Sequence, residues 1–194
     1  MKLKHYFFIA VVSLLGLASC SEAEDTVEEY ADWEEKNDEA FMKLYNEATA
    51  MNSPQWKVLR AYSKSDTNYG VVDPYDYIVV NVLETGVGST SPCMNDTVAI
   101  HYQGRLLPSA SYANGYVFDS SYDGEYNKLT SHPYDFATPG DFSIGFSTAL
   151  QHMHVGDYWR VYIPYTLAYG ESGNTVIPGY SMLIFDLRLQ DFWR

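Results

Sequence analysis

The chain has 194 residues and a formal net charge of −13, with 46% hydrophobic and 16% aromatic residues. The length predicts one or two domains, and the apolar content is sufficient for a packed core, which excludes a wholly disordered chain and a fibrous protein. The excess of acidic residues argues against nucleic-acid binding, because phosphate contacts require a basic surface.

Residues 1–19 have the pattern of an export signal. A positively charged start precedes an apolar run from Phe7 to Leu17, which is too short to span a membrane as a helix. The run ends in Leu-Ala-Ser-Cys at 17–20, which resembles the lipobox of bacterial lipoproteins. In that class the signal peptide is removed and the cysteine is lipidated. We therefore predict lipidation at Cys20 and an extracytoplasmic protein that is anchored to a membrane, in the periplasm or at the cell surface. A plain secretory signal is the alternative.

Residues 20–70 are predicted to form an acidic tether. Between Glu22 and Glu39 the sequence has ten acidic residues and one basic residue. Dense like charge keeps a segment solvated, which favours a spacer that holds the following domain away from the membrane. Apolar residues also recur near helical spacing between Val27 and Ala50, so part of this segment is predicted to form an amphipathic helix that packs on the domain or on a partner.

From residue 71 to residue 194 the sequence has the patterns of a sheet. Four segments alternate polar and apolar residues or are rich in β-branched residues, and each is bounded by turn-forming residues. The segments are Tyr77–Leu83, Thr97–Leu106, Trp159–Pro164 and Met182–Gln190. One short helix is predicted at Phe146–His152. Strands dominate and one helix covers one side of the sheet, so the predicted class is α+β with a mainly antiparallel sheet.

Several short motifs between Tyr77 and Gln190 have a characteristic order. They are VAIHYQGRL at 98–106, FDSS at 118–121, GFSTAL at 145–150, HMHVG at 152–156, AYG at 168–170, VIP at 176–178 and LIFD at 183–186. Each motif alone is weak, but together, in this order and spacing, they resemble the FKBP-type peptidyl-prolyl cis-trans isomerases. The resemblance implies a five- to six-stranded antiparallel half-barrel wrapped around one short helix, with a shallow aromatic pocket between helix and sheet.

The activity implied by the resemblance is isomerisation of X–Pro bonds in proline-containing polypeptides, here exported proteins. Rotation about a peptide bond has a barrier of ~18–20 kcal/mol because it breaks amide resonance. The twisted transition state is less dipolar than the planar amide, so a dry apolar pocket favours it, and a few hydrogen bonds stabilise the altered carbonyl and nitrogen. This chemistry requires aromatic residues and one carboxylate, and no cofactor, metal or nucleophile.

The resemblance assigns ten positions to the pocket. Tyr102, Asp119 and Tyr169 would be catalytic: Asp119 lies beside the rotating carbonyl and is oriented by Tyr102, and the Tyr169 hydroxyl donates to a substrate carbonyl. Phe146 would be the pocket floor that holds the proline ring, and the backbone N–H of Ser143 would donate to a second carbonyl. The substrate-binding residues are Phe118, Tyr134, Phe142, Ser143, Phe146, Ile177 and Phe185.

The sequence departs from the family pattern at three places. Phe146 stands where the family usually has Trp, and Phe142-Ser143 replaces an aliphatic pair. The segment Leu107–Val117 is longer than the usual turn, and several tyrosines lie in and after it. Two alternatives to an isomerase therefore stay open. One is a non-catalytic module that binds a peptide or partner on the same scaffold, and the other is a glycan-binding surface lipoprotein.

Overall fold

The computed structural model describes residues 27–64 and 72–194. The predicted signal peptide and Cys20 lie outside the described residues. The described chain contains two α-helices and seven β-strands, together with three short 3₁₀ turns. In chain order the helices and strands are α1 (Trp33–Ala50), β1 (Trp56–Arg60), β2 (Tyr77–Glu84), β3 (Thr97–Arg105), β4 (Val117–Ser120), β5 (Tyr134–Ala137), α2 (Ile144–Leu150), β6 (Tyr158–Ile163) and β7 (Leu183–Trp193).

The strands form one antiparallel sheet in the order β1-β2-β6-β7-β3-β4, and β5 pairs with β3. The predicted α+β class with an antiparallel sheet is confirmed. The four predicted strand segments correspond to β2, β3, β6 and β7. The sheet has seven strands in the described chain, compared with the five or six that the resemblance implied, and β1, β4 and β5 were not among the four segments predicted from the sequence pattern. These three strands have only four or five residues each, which is too few for a clear alternating pattern.

Helix α2 packs against one face of the sheet, called here the inner face. Six of its seven residues are buried. Phe146 and Leu150 lie in one apolar cluster with Ile100, Val161 and Leu187 from the sheet. Successive strand residues point to opposite faces, so the alternating apolar residues of β3, β6 and β7 supply this core. Helix α2 begins and ends two residues earlier than the helix predicted at Phe146–His152.

Helix α1 packs on the opposite, outer face. Phe41 and Ala48 are buried in a second apolar cluster with Val79, Met182 and Ile184. Like-charge density predicted a solvated spacer for this segment, but the acidic residues of a helix can point to solvent while its apolar residues face the sheet. The segment from Trp33 to Arg60 is thus packed on the sheet, and β1 is hydrogen-bonded to β2 over its whole length. The tether predicted at residues 20–70 therefore includes a helix and an edge strand.

Two buried hydrogen bonds connect α1 to the chain before β7. The indole Nε1 of Trp33 donates to the hydroxyl of Ser181 at 2.8 Å, and the backbone N–H of Met182 donates to Oδ1 of Asn37 at 2.8 Å. Leaving a buried polar group without a hydrogen-bond partner lowers the free energy of unfolding. These two bonds therefore fix the position of α1 on the sheet, in addition to the burial of its apolar residues. They also connect α1 to a segment that follows the loop at 173–177, which contributes to the inner-face cavity described below.

The long segment before β4 contacts the first described residues of the chain. The carboxylate of Glu29 accepts hydrogen bonds from the backbone N–H of Ser111, at 3.0 Å, and from the hydroxyl of Ser109. The rings of Tyr112 and Tyr116 pack edge to face at 5.0 Å. The insertion is therefore held by local ring packing and by the chain that precedes α1.

Candidate active site

A cavity of about 260 Å³ opens between the start of α2, strands β3, β4 and β7, and the loop that precedes β7. It is lined by Tyr102, Phe118, Asp119, Asp141, Phe142, Ser143, Phe146, Tyr169, Asn174, Val176, Ile177 and Phe185. Nine of the ten positions predicted for the pocket are in this lining. The structure therefore brings together residues that are far apart in the sequence, and their individual roles stay predictions.

Phe146 occupies the buried end of the cavity, with 3% of its surface exposed. Its ring lies 4.8 Å from that of Phe185 and 5.7 Å from that of Tyr102, in both cases edge to face. The ring of Phe142 is tilted against it at 4.6 Å. Edge-to-face packing is a favoured arrangement of aromatic rings. The ring predicted to be the pocket floor is therefore held from three sides.

Gly104 makes room for two of the aromatic walls. It lies opposite Phe185 in the β3–β7 pair and opposite Asp119 in the β3–β4 pair. A Cβ atom at this position would lie 2.5 Å from the ring of Phe185 and 2.6 Å from that of Phe118. Any side chain here would displace one or both rings, so the packing of these walls depends on glycine at this position.

Tyr102 and Asp119 form the polar contact of the cavity. The Tyr102 hydroxyl donates to Oδ2 of Asp119 at 3.0 Å. Burial raises the pKa of Tyr102 well above its ordinary value, and the hydrogen bond to Asp119 acts in the same direction. The phenol therefore keeps its proton over the physiological pH range and remains a donor. Asp119 is exposed, and the bond fixes the direction of its carboxylate.

Two hydrogen-bond donors at the cavity have no partner in the part of the chain that the structure describes. Tyr169 is 46% exposed, and its hydroxyl makes no hydrogen bond to a described residue. Ser143 precedes α2, and its backbone N–H likewise has no acceptor among the described residues. Both groups are therefore available to a ligand. They are the two donors that the family resemblance assigned to substrate carbonyls.

Tyr134 is the one predicted pocket residue outside the lining. It starts β5, is half exposed, and contacts the cavity indirectly, through an edge-to-face contact with the ring of Tyr102 at 6.4 Å. The strand pairs with β3, and Tyr134 lies opposite Ile100 in that pair. Contact of Tyr134 with substrate stays a prediction.

Sequence reasoning did not assign Asn174 and Val176 to the pocket, although Val176 belongs to the VIP motif at 176–178. Oδ1 of Asn174 accepts from the backbone N–H groups of both Val176 and Ile177 at 2.8 Å, which closes a tight turn. Gly173 precedes it with φ +62°, and a Cβ atom there would lie 2.1 Å from the carbonyl oxygen of Ile177. This turn presents Val176 and Ile177 to the cavity. A Gly-Asn pair is a turn signal that could have indicated it.

Asp141 was also not predicted. Its Oδ2 accepts from the backbone N–H of Thr138 at 2.8 Å and from the hydroxyl of the same residue at 3.0 Å. These bonds close the 3₁₀ turn Pro139–Asp141 and lower the pKa of the Asp141 carboxyl. The Thr-x-x-Asp spacing has the form of a capping box, which was the available signal.

Among the residues that the structure describes, no three His, Cys, Asp or Glu side chains are grouped in a way that would hold a metal ion. His152 stacks on the ring of Tyr62 at 4.7 Å. The carboxylate of Asp157 accepts from the backbone N–H groups of Gly86 and His154, at 2.7 and 2.8 Å. The neighbouring histidines and this aspartate thus take part in local packing and loop structure.

The chain is similar in sequence to known isomerases. The family model for FKBP-type peptidyl-prolyl cis-trans isomerases matches residues 88–190. The macrophage infectivity potentiator of Trypanosoma cruzi is 40% identical over 113 residues, which cover 58% of this chain. The chain spans about half of that relative, 51% of its length. The FKBP-type 22 kDa peptidyl-prolyl cis-trans isomerase of Escherichia coli is 30% identical over 156 residues, which cover 77% of this chain and 69% of the relative.

A solved structure has the same architecture. The peptidyl-prolyl cis-trans isomerase of Pseudomonas syringae superimposes with a TM-score of 0.56 at 25% sequence identity. The similarity covers 82% of this chain and 96% of that chain, so it extends beyond the segment that the family model matches.

Proposed function

Because the chain belongs to the FKBP-type peptidyl-prolyl cis-trans isomerase family, we propose that it accelerates cis–trans isomerisation of X–Pro bonds in polypeptides. The observation that supports this activity is the convergence of nine predicted residues on one aromatic cavity. Uncatalysed X–Pro exchange takes tens to hundreds of seconds, which is slow enough to limit folding. A catalyst of this step therefore assists the folding of its substrates.

The aromatic part of the cavity supplies the apolar environment. The proline ring packs on Phe146, and Tyr102, Phe118 and Phe185 exclude water from the peptide bond. The planar amide is more dipolar than the twisted transition state, so loss of its solvation disfavours the ground state. Only this difference between ground and transition state accelerates rotation.

The polar groups act on the carbonyls on either side of the rotating bond. Asp119, held by Tyr102, lies beside the carbonyl that changes direction. The hydroxyl of Tyr169 and the N–H of Ser143 donate to neighbouring carbonyls and hold the peptide while one side rotates. No group transfers a proton in this scheme. The unpaired state of both donors within the described chain supports these roles.

The direct experiment is a protease-free exchange measurement on short X–Pro peptides with the full chain. We expect exchange cross-peaks between cis and trans forms to appear at rates well above the uncatalysed rate. A folded sample that leaves the exchange rate unchanged would contradict the isomerase and favour a non-catalytic module that binds peptides on the same scaffold.

The proposed location is outside the cytoplasm, with the chain cleaved before Cys20 and lipidated there. The sequence pattern at 17–20 supports this processing. No described helix is long and apolar enough to cross a membrane. The substrates would then be X–Pro segments of exported proteins.

We expect Cys20→Ser to move the protein from the membrane fraction to the soluble fraction, whereas Cys93→Ser, at an exposed cysteine of the domain, leaves it on the membrane. Membrane retention of Cys20→Ser would contradict the anchor.

A further inference from the structure

The charged groups that line the cavity all have the same sign. Asp119 and Asp141 are both part of the lining and both exposed, and the lining contains no Lys, Arg or His. The aromatic walls and the two carboxylates therefore form one surface with apolar and negative character. The reaction scheme above uses Asp119 and gives no role to Asp141.

The sequence segments that supply most of the lining are rich in acidic residues. Every lining residue except Tyr102 comes from the segments 106–127, 133–159 and 161–187, which contain several Asp and Glu residues and no Lys or Arg. The whole chain has an excess of acidic residues in the same sense. The two lining carboxylates, with no Lys, Arg or His in the lining, therefore make a negative contribution to the potential at the cavity mouth.

Arg105 and Arg160, which directly precede two of these segments in the sequence, form ion pairs on the other face of the sheet. Nε of Arg160 lies 2.7 Å from Oδ1 of Asp186, and Nη2 of Arg105 lies 3.1 Å from Oδ2 of the same carboxylate. Asp186 is adjacent to Phe185 in β7, and successive strand residues point to opposite faces. Because Phe185 lines the cavity, the two arginines and Asp186 lie on the outer face.

Asp141 has an oxygen that is free to accept a cation. Both hydrogen bonds from Thr138 go to Oδ2, so Oδ1 has no donor among the described residues. The same bonds favour the ionised form, since they lower the pKa of the carboxyl, and they hold it in one orientation. A carboxylate that is already oriented loses little conformational freedom when it pairs with a ligand. Asp141 also lies two residues before Ser143, whose N–H is proposed to bind a carbonyl of the substrate backbone.

We propose that the cavity prefers X–Pro segments with Lys or Arg next to the proline over segments with Asp or Glu there, and that Asp141 determines this preference. The proposal rests on the isomerase function above, and it names the substrate class for that site. A basic side chain beside the proline reaches the cavity rim while the proline ring contacts Phe146. An acidic side chain at the same place is repelled by Asp141 and Asp119.

The expected preference is moderate, because the carboxylates are exposed. An exposed ion pair corresponds to roughly a 1.5- to 5-fold effect, and replacement of a basic by an acidic residue also adds repulsion. We therefore expect kcat/KM for a Lys–Pro peptide to exceed that for the matched Glu–Pro peptide by roughly three- to twentyfold at low salt. The ratio falls as ionic strength rises, because the screening length shortens from ~30 Å at 0.01 M to ~3 Å at 1 M.

The test measures this Lys-to-Glu ratio for the full chain, with peptides that differ only at the residue before or after the proline. Asp141→Asn keeps the shape and the acceptor oxygen of the side chain, and we expect it to lower the ratio by at least half. Glu47→Gln, at an exposed position on α1, removes one charge from the outer face and leaves the ratio unchanged.

Each outcome is decisive. Acceleration of both peptides at equal rates, or faster exchange of the Glu peptide, overturns the charge preference and leaves the isomerase function intact. An equal fall of the ratio in Asp141→Asn and Glu47→Gln assigns the preference to net charge and overturns the role of Asp141. No acceleration of any peptide by a folded sample overturns the isomerase and, with it, the preference.

Discussion

The hydroxyl of Tyr102 connects the buried aromatic rings of the cavity to the exposed carboxylate of Asp119. Removal of this hydroxyl in Tyr102→Phe leaves the ring contact with Phe146 in place and frees the carboxylate. We expect kcat/KM for an X–Pro peptide to fall several-fold, because Asp119 is no longer held beside the carbonyl. A typical hydrogen bond contributes about 1 kcal/mol to the free energy of unfolding, so the variant remains folded. An unchanged rate in a folded variant would contradict the role of this pair.

Ionisation of Tyr102 affects stability at alkaline pH. Burial raises the pKa of Tyr102 above its ordinary value of ~10, so the folded state holds the proton more tightly than the unfolded chain. The resulting stabilisation is fully present below about pH 10 and is lost as pH rises towards the folded pKa. We expect the free energy of unfolding from urea titrations to fall more steeply between about pH 10 and 11 in the wild type than in Tyr102→Phe. Equal slopes would show that the pKa of Tyr102 is not raised in the folded state.

Tyr169 provides a test of the exposed donor. Its hydroxyl has no protein partner in the described chain, so Tyr169→Phe loses no internal hydrogen bond. We expect the melting temperature to stay unchanged and kcat/KM to fall by roughly three- to tenfold, the equivalent of one hydrogen bond to substrate. Tyr112→Phe, at a similarly exposed position in the insertion, serves as the control and retains full rate. Equal rates in both variants would remove Tyr169 from the mechanism.

Single residues also show how far the sequence predicts the site. The motif order was sufficient to place Phe146, Phe185 and seven other residues on one cavity, because the spacing of strands and helix determines where motif positions meet. Asp141 and Asn174 were missed because their positions depend on turns, each closed by the side chain itself. Tyr134 lies next to the lining rather than in it, at the start of β5, which follows a long loop whose path no motif fixes.

At the scale of secondary-structure elements, α1 lies in the segment where the sequence predicted an amphipathic helix, but its place in the fold was not predicted. Counting charges favoured a solvated spacer, whereas the structure has the helix packed on the outer face through Phe41 and connected by Trp33 and Asn37. The sequence contained the apolar spacing but not the information on what that face contacts, because Met182 and Ser181 are more than a hundred residues away along the chain. Long-range pairing of this kind is not readable from local periodicity.

The packing of α1 predicts a large loss of stability on truncation of its central aromatic residue. Phe41 is 1% exposed, and conversion of a buried Phe to Ala costs ~3–5 kcal/mol. We expect Phe41→Ala to lower the free energy of unfolding by about that amount in urea titrations. The matched control is Phe136→Ala on β5, where the side chain is 88% exposed and the expected change is within about 0.5 kcal/mol. A spacer that does not pack on the domain would give no change in either variant.

At the scale of the whole molecule, the two faces of the sheet differ in what they carry. The inner face with α2 forms the cavity, and the outer face carries α1 and the Arg105–Asp186–Arg160 network. Fold alone does not establish activity, so the claim depends on the chemistry of the cavity.

The most direct test of whether the X–Pro bond rotates in the aromatic cavity compares Phe146→Ala with Phe136→Ala in the exchange experiment. Both variants remove one phenylalanine ring, one from the cavity floor and one from an exposed position on β5. We expect wild-type acceleration in Phe136→Ala and loss of nearly all acceleration in Phe146→Ala, with circular dichroism showing that both are folded. Full acceleration by a folded Phe146→Ala would show that the cavity is not where the X–Pro bond rotates.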